Sequence, residues 1–270
     1  PMKPFSEIGF FDAHAHYDDS RFAESFPGGG AAVLRDLFSR GVVCGVCNSA
    51  SDLASARAAR ALANALDGVV FTAGIHPHEA AQALRSGIDS VMTQLEALLA
   101  EEKCVALGEI GLDFHYDFSP REEQHRLFAL QMELAKQKNI PVVIHSREAA
   151  EPTLAVLRAF SGVRGVIHSC AFSAESVKEL LRLGYYISFS GPATFKNARG
   201  ILDAVRAVPE DRLLIETDCP YLAPVPMRGK CNHSGYLGYI AAAVAAARNA
   251  DPEQIRRQTR ENALRVFSLL

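Results

Sequence analysis

The chain has 270 residues, nearly half of them hydrophobic, enough to fill a sizeable core and a length that suits a single α/β barrel. Its 28 Lys and Arg against 31 Asp and Glu leave a formal net charge of −3 with no basic run. That weighs against coating nucleic acid by bulk electrostatics, but not against an enzyme that holds one or two phosphates through metal ions.

No apolar run approaches a membrane span, and the N-terminus lacks the succession of a signal peptide. Pro1 ahead of Met2 reads as an added residue or as a chain numbered from an unusual start. The six cysteines are too sparse for a disulfide framework, so a reducing, cytoplasmic setting is expected. Cys44 and Cys47 form a C-x-x-C inside an apolar run, with no second pair to complete a zinc site. They read as buried small hydrophobes pointing to opposite faces of a strand.

In chain order, apolar residues from Ile8 lead into Phe10-Phe11-Asp12-Ala13-His14-Ala15-His16, the end of a buried first strand. Asp18 to Gly30 reads as a loop, broken by Pro27-Gly28-Gly29-Gly30, and a helix follows over Ala31 to Arg40. Strand two is Val42 to Asn48, and Ser51 can cap an Ala-rich helix ending near Leu66. Strand three, Val69 to Ile75, delivers His76-Pro77-His78. A helix over about Ile88 to Glu101 precedes strand four, Cys104 to Glu109. Helix four starts at Ser119-Pro120, with Ser as N-cap and Pro at the first helical position. Strand five, Pro141 to Ile144, ends at His145, and helix five covers Glu148 to Phe160. Strand six, Gly165 to Ile167, ends at His168, and helix six runs from Ala174 to Leu183. Strand seven is Tyr185 to Ser190, with a helix over Ala198 to Val208. Strand eight, Leu213 to Ile215, leads to Glu216 and Asp218, and a loop with Pro220, Pro224 and Pro226 precedes the last helices.

Eight strand-then-helix units with no composition break imply one domain, a (β/α)8 TIM barrel of the α/β class. A doubly wound open sheet is the rival. It explains less, because it gathers functional residues at a switch point rather than around the whole cycle.

Residues i and i+2 of a strand project to the same side, so His14 and His16 aim two imidazoles at one point. A single such histidine would be an ordinary hydrogen-bonded core residue. His14, His16, Glu109, His145, His168 and Asp218, however, all lie at or just past the ends of apolar runs, at equivalent points of a repeating unit. Imidazole and carboxylate without thiolate suit two divalent ions such as Zn, Mn or Mg. Six ligands exceed what one open catalytic zinc keeps, and two ions sharing a carboxylate fit the count, with Glu109 the natural bridge.

These segments resemble the TatD family of metal-dependent DNases, within the amidohydrolase superfamily. The resemblance rests on Phe11-Asp12-Ala13-His14-Ala15-His16, Ala73-Gly74-Ile75-His76-Pro77-His78, Gly108-Glu109-Ile110-Gly111-Leu112-Asp113, Ile144-His145-Ser146-Arg147 and Glu216-Thr217-Asp218-Cys219-Pro220-Tyr221. Phe189-Ser190-Gly191 and Thr194-Phe195-Lys196-Asn197 belong to the same pattern, which runs in order along essentially the full chain. The resemblance implies one ion held by His14, His16 and Asp218, another by His145 and His168, with Glu109 bridging. It also implies hydrolysis of DNA phosphodiesters, often as a 3′-to-5′ exonuclease.

A metal-activated water would attack phosphorus, and Asp218 would also accept its proton. Glu216 is expected to orient its neighbours rather than bond a metal. His78, Arg147 and Lys196 could contact substrate oxygens; the plainer readings are a helix-side hydrogen bond for His78 and surface charges for the others. Asp113, His115 and Tyr116 fall near the mouth without an assigned role. The expected substrate is a DNA end, preferably single-stranded. The rival class is a hydrolase of a lactone, an amide or an aminoacyl ester using the same site. One departure stands out: Arg228-Gly229-Lys230-Cys231-Asn232-His233-Ser234 has His and Ser where the family has Glu and Pro. Pro removes a donor and fixes φ, so a different loop shape is expected here, and because the loop is expected to border the barrel mouth, substrate preference is what it would affect.

Overall fold

A computed structural model describes residues 5–270; Pro1 and Met2 lie outside the described residues. In chain order the elements are β1 Phe10–Ala15, α1 Ser20–Ser25, α2 Gly29–Ser39, β2 Val43–Asn48, α3 Leu53–Ala65, β3 Val69–Ala73, α4 Ala80–Arg85, α5 Ile88–Leu99 and β4 Cys104–Asp113. There follow α6 Arg121–Lys138, β5 Val142–Arg147, α7 Ala150–Ala159, β6 Gly165–Ile167, α8 Ala174–Arg182, β7 Tyr186–Phe189, α9 Arg199–Ala207, β8 Leu213–Ile215, α10 Leu237–Arg248 and α11 Pro252–Val266. The eight strands are parallel and pair in sequence order, β1 to β8, giving the (β/α)8 barrel. Ala15 and Cys219 form an isolated bridge where the cycle closes between β1 and the segment after β8.

Strand period two explains where the core sits and why the site lies at one end. Val70, Val143, Val166 and Leu214 share a buried apolar cluster with Val266 and Phe267 of the last helical segment. Two residues further along the same faces stand Thr72, His145, His168 and Glu216. Each of these faces is thus apolar low in the strand and polar at its C-terminal end. The alternate residues Phe71, Leu107, Ile144, Ile167, Ile187 and Ile215 pack outward with helix residues such as Leu34, Ala59, Leu95, Leu157 and Leu180.

Several local expectations need correction. The stretch 18–30 is not a plain loop: Asp19 accepts a hydrogen bond from the N–H of Arg21 and starts α1, while Gly28, at φ 82°, sits just before α2, which begins at Gly29. Asp52, not Ser51, caps α3, in a reciprocal capping box with Ser55. Strand three stops at Ala73, and a 3₁₀ turn over Pro77–Glu79 runs into α4, which was not expected at all. Ser119 does not cap α6. Its hydroxyl donates to the carbonyl of His78, its Oγ accepts from the N–H of Ala81, and Pro120 holds the cap position. Glu148 has a positive φ of 52°, so α7 starts only at Ala150. β4 continues past Glu109 to Asp113, with a register shift and a cis Gly108–Glu109 peptide, so Glu109 lies within a strand rather than at its end. β5 likewise continues through His145 to Arg147. Gly111 is required there, because a Cβ would come within 1.9 Å of the carbonyl oxygen of His145. All six cysteines are free. Among the described residues no helix is long and apolar enough to cross a membrane.

Candidate metal centre

The faces traced above converge on the carboxylate of Glu109. Its Oε2 lies 3.3 Å from His14 Nε2 and 3.7 Å from His16 Nε2, while its Oε1 lies 2.8 Å from His145 Nδ1 and 2.9 Å from His168 Nε2. One oxygen therefore serves each pair of rings. Asp218 Oδ1 joins the first pair, 3.6 Å from His14 Nε2 and 3.3 Å from His16 Nε2. Three of these groupings could hold a metal ion: His14, His16 and Asp218; His14, Glu109 and His168; and His76, Glu109 and His145.

The far side of each ring fixes which nitrogen is free. His16 Nδ1 faces the carbonyl oxygen of Ser49 at 2.9 Å and must donate to it, so Nε2 is the nitrogen turned to the centre. His168 Nδ1 donates to Glu216 Oε1 at 3.1 Å, and His145 Nε2 donates to Asp113 Oδ2 at 3.1 Å. His14 Nδ1 meets the Ser49 hydroxyl at 3.0 Å, which can accept. With those outer bonds made, four ring nitrogens and two carboxylates point at one another. His14 and His16 Nε2 stand 3.1 Å apart, and His145 Nδ1 and His168 Nε2 3.2 Å apart. At such distances ring nitrogens with neither a proton nor a cation between them repel, and these residues would relieve that repulsion by holding divalent cations. The donor set therefore fits a metal centre of the imidazole–carboxylate kind.

The electrostatics agree. Burial works against the Glu109 anion, yet His168, His14 and His76 together hold its carboxyl well below the usual carboxylate range. Burial likewise disfavours a charged His16 ring, but Asp218 beside it carries it up to about 9. The centre draws positive charge wherever it can. His76 behaves oppositely: burial and the neighbouring His145 push it down to about 4, leaving a neutral imidazole at neutral pH.

Of the residues singled out from sequence, His14, His16, Glu109, His145, His168 and Asp218 meet in this cluster. His78 and Arg147 line a cavity of about 460 Å³ that opens from it, and Lys196 stands exposed outside the linings of both cavities at the centre. The second, of about 240 Å³, shares His145, Arg147, His168 and Asp218 and continues past Ser169 and Ser190. His76 was not singled out, although its Nε2 lies 3.6 Å from Glu109 Oε1. The signal was present: His76 and His78 repeat the spacing of His14 and His16. Asp113 also gains a place, its Oδ2 bonding both His145 and His78 Nε2, the latter at 2.9 Å. Glu216 faces His168 and the N–H of Ser169, an orienting position.

The departing loop lies elsewhere than expected. Neither His233 nor Ser234 lines either cavity at the centre; Ser234 is buried beneath the seam between β1 and β8. Asp12 ties that seam, accepting from the N–H of Thr217 at 2.9 Å, from its hydroxyl at 2.5 Å and from Ser234 Oγ at 2.6 Å. Ser234 N–H in turn donates to the Tyr17 hydroxyl at 2.9 Å. Burial drives the Asp12 carboxyl up to about 7, against the lowering effect of the Ser234 and Thr217 bonds. Ser234→Ala is expected to destabilise the metal-free protein by about 1–3 kcal/mol, since a buried carboxylate oxygen loses a partner. Ser234→Pro is expected to cost more, because the N–H to Tyr17 disappears as well. Urea unfolding of both variants checks the order, and a neutral Ser234→Pro would refute it.

Comparison with known proteins places this geometry. The model of the family "TatD related DNase" matches residues 11–268. The chain is 36% identical over 261 residues to an uncharacterized metal-dependent hydrolase of Bacillus subtilis, YabD, covering 96% of this chain and 99% of that one. It is 32% identical over 234 residues to a protein of Klebsiella pneumoniae named 3′-5′ ssDNA/RNA exonuclease TatD, covering 84% and 88%. The crystal structure of a TatD homologue of Escherichia coli, YJJV, superposes with a TM-score of 0.85 at 26% identity, over 97% of this chain and 99% of that one.

Proposed function

The chain belongs to the TatD-related DNase family of metal-dependent hydrolases, and we propose that within it this protein cleaves phosphodiester bonds at DNA ends, 3′ to 5′, around two divalent ions. The observation that carries the reading is the division of the Glu109 carboxylate, one oxygen toward each pair of histidines. His14, His16 and Asp218 would hold one ion, His145 and His168 the other, with Glu109 shared and His76 adding a ring on the His145 side. Such ions, Mg, Mn or Zn, supply a more acidic water and charge to neutralise phosphoryl oxygens.

The chain's own residues do the rest. Burial opposes the Asp218 anion, but its hydrogen bond with His16 leads the contacts that hold it below the usual carboxylate range, so it stands ready to take a proton from the attacking water. Arg147 and His78, on the cavity wall, would position the phosphate. Lys196, exposed on the turn after β7, would meet the strand only beyond the cavity. The acidic balance of the chain offers little hold on a long duplex backbone, which favours a strand end.

The test compares a linear single strand, labelled at either end, with a covalently closed circle of the same sequence, using metal-loaded protein. Stepwise release of nucleotides from the 3′ end with the circle intact is expected. Rapid cutting of the circle would make the protein an endonuclease. Turnover of lactones, amides or aminoacyl esters with no nucleotide release would move it to the rival class.

A further inference from the structure

The segment between β4 and α6 carries Tyr116 and Phe118, which are 47% and 67% exposed. Their rings are stacked, with centroids 5.2 Å apart and planes 18° from parallel. The guanidinium carbon of Arg147 lies 4.7 Å from the Tyr116 centroid, and both residues line the main cavity beside His145 and Asp113. Phe118 meets the edge of His78 at 4.8 Å. This aromatic surface is not a loose tip. Asp113 Oδ1 accepts the N–H groups of His115 and Tyr116, both at 3.0 Å. Gln124 Nε2 donates to the carbonyls of Asp113 and Ser119, at 3.0 and 2.8 Å, and Arg121 pairs with Asp117 at 2.8 Å. The same Asp113 binds His145, so the segment is built as one piece with the metal centre.

Rigidly holding two aromatic rings toward water leaves apolar surface that needs an occupant. The other half of the centre differs. Tyr221, 6.0 Å from His16, has Arg21 over its ring at 4.5 Å and its hydroxyl donating to Asp19 at 2.5 Å.

We propose that Tyr116, Phe118 and Arg147 form a nucleobase subsite, in which a base adjoining the scissile phosphate packs on the exposed aromatic surface while Arg147 takes an oxygen of the neighbouring phosphate. The inference rests on the phosphodiesterase reading and names what holds the substrate there. A flat apolar surface beside a fixed cation selects an aromatic group joined to an anion, which describes a nucleotide. Every base has a π-face, so the subsite is tolerant of sequence. A base inside a duplex is already stacked and paired, so the subsite accepts an unpaired one, which gives the single-strand preference a structural cause.

The test uses oligonucleotides with a natural base or an abasic residue at the terminal or the penultimate 3′ position. Metal-free protein is titrated by fluorescence anisotropy, and metal-loaded protein is assayed for cleavage. In the wild type, abasic substitution at one of the two positions is expected to weaken binding and raise KM by about tenfold, in the range of base–aromatic stacking. In Tyr116→Ala/Phe118→Ala the natural and abasic oligomers are expected to become equivalent. A Tyr116→Leu/Phe118→Leu variant keeps apolar bulk without flat faces and should behave as the alanine pair does; recovery of the discrimination by Leu would reduce the rings to a structural role. Equal binding of natural and abasic oligomers by the wild type overturns the subsite even if DNA is cleaved. If the loaded wild type cleaves no oligonucleotide, the phosphodiesterase reading fails, and the anisotropy comparison still decides whether the rings bind bases.

Discussion

Glu109→Gln is expected to lower turnover by about 10³-fold or more, the several kcal/mol that metal stabilisation supplies, and to weaken both cations together. The amide has one oxygen and one nitrogen. Since Oε2 faces His14 and His16 and Oε1 faces His145 and His168, either orientation turns an N–H₂ toward one pair of ring lone pairs. That pair then accepts hydrogen bonds instead of ligating. The other pair keeps a carbonyl oxygen but loses the negative charge. His14→Ala removes a single donor from one group and should cost less. Elemental analysis of the two variants under equal metal supply decides the matter. Two cations bound to Glu109→Gln with unchanged affinity would mean the carboxylate is not shared.

Asp218→Asn separates ligation from proton transfer. Asp218 has a positive φ of 56°, a conformation Asn also tolerates, and its N–H donates to the carbonyl of His14 at 3.0 Å. The variant should therefore keep its backbone and still offer an oxygen near His14 and His16. It cannot take a proton, so kcat is expected to fall by about 10²–10⁴-fold, the usual worth of general-base assistance, with metal content largely kept. A loss under about tenfold with the metals in place would leave Asp218 a ligand and nothing more.

The repeating part of the molecule was legible from sequence because two periods coincide. Apolar runs of β-branched residues marked the strands, and a polar residue recurring near each run's end marked the faces that converge. The missed pieces were those without a period. α4 has only six residues, and its start depends on a 3₁₀ turn that Pro77 and His78 begin. The extra length of β4 relies on Gly111, whose lack of a side chain matters only because His145 of the next strand lies against it. The place of His76 was hidden by its own motif, since a His-x-His after β3 offers two rings and nothing in the sequence says which one turns inward. Ser234 could be noticed as a departure, but its partners Asp12 and Tyr17 lie more than two hundred residues away.

That last distance bears on how the protein is made. His14 and His16 leave the ribosome well ahead of Asp218 and Ser234, and only when those emerge can Asp12 be tied to Thr217 and the seam closed. Glu109, His145 and His168 have all appeared by then. During synthesis the His145 and His168 half of the centre has its side chains early, while the other waits for the segment after β8. A cation site of His14, His16 and Asp218 would thus form only once β8 is in place, and a chain cut short before β8 would lack it.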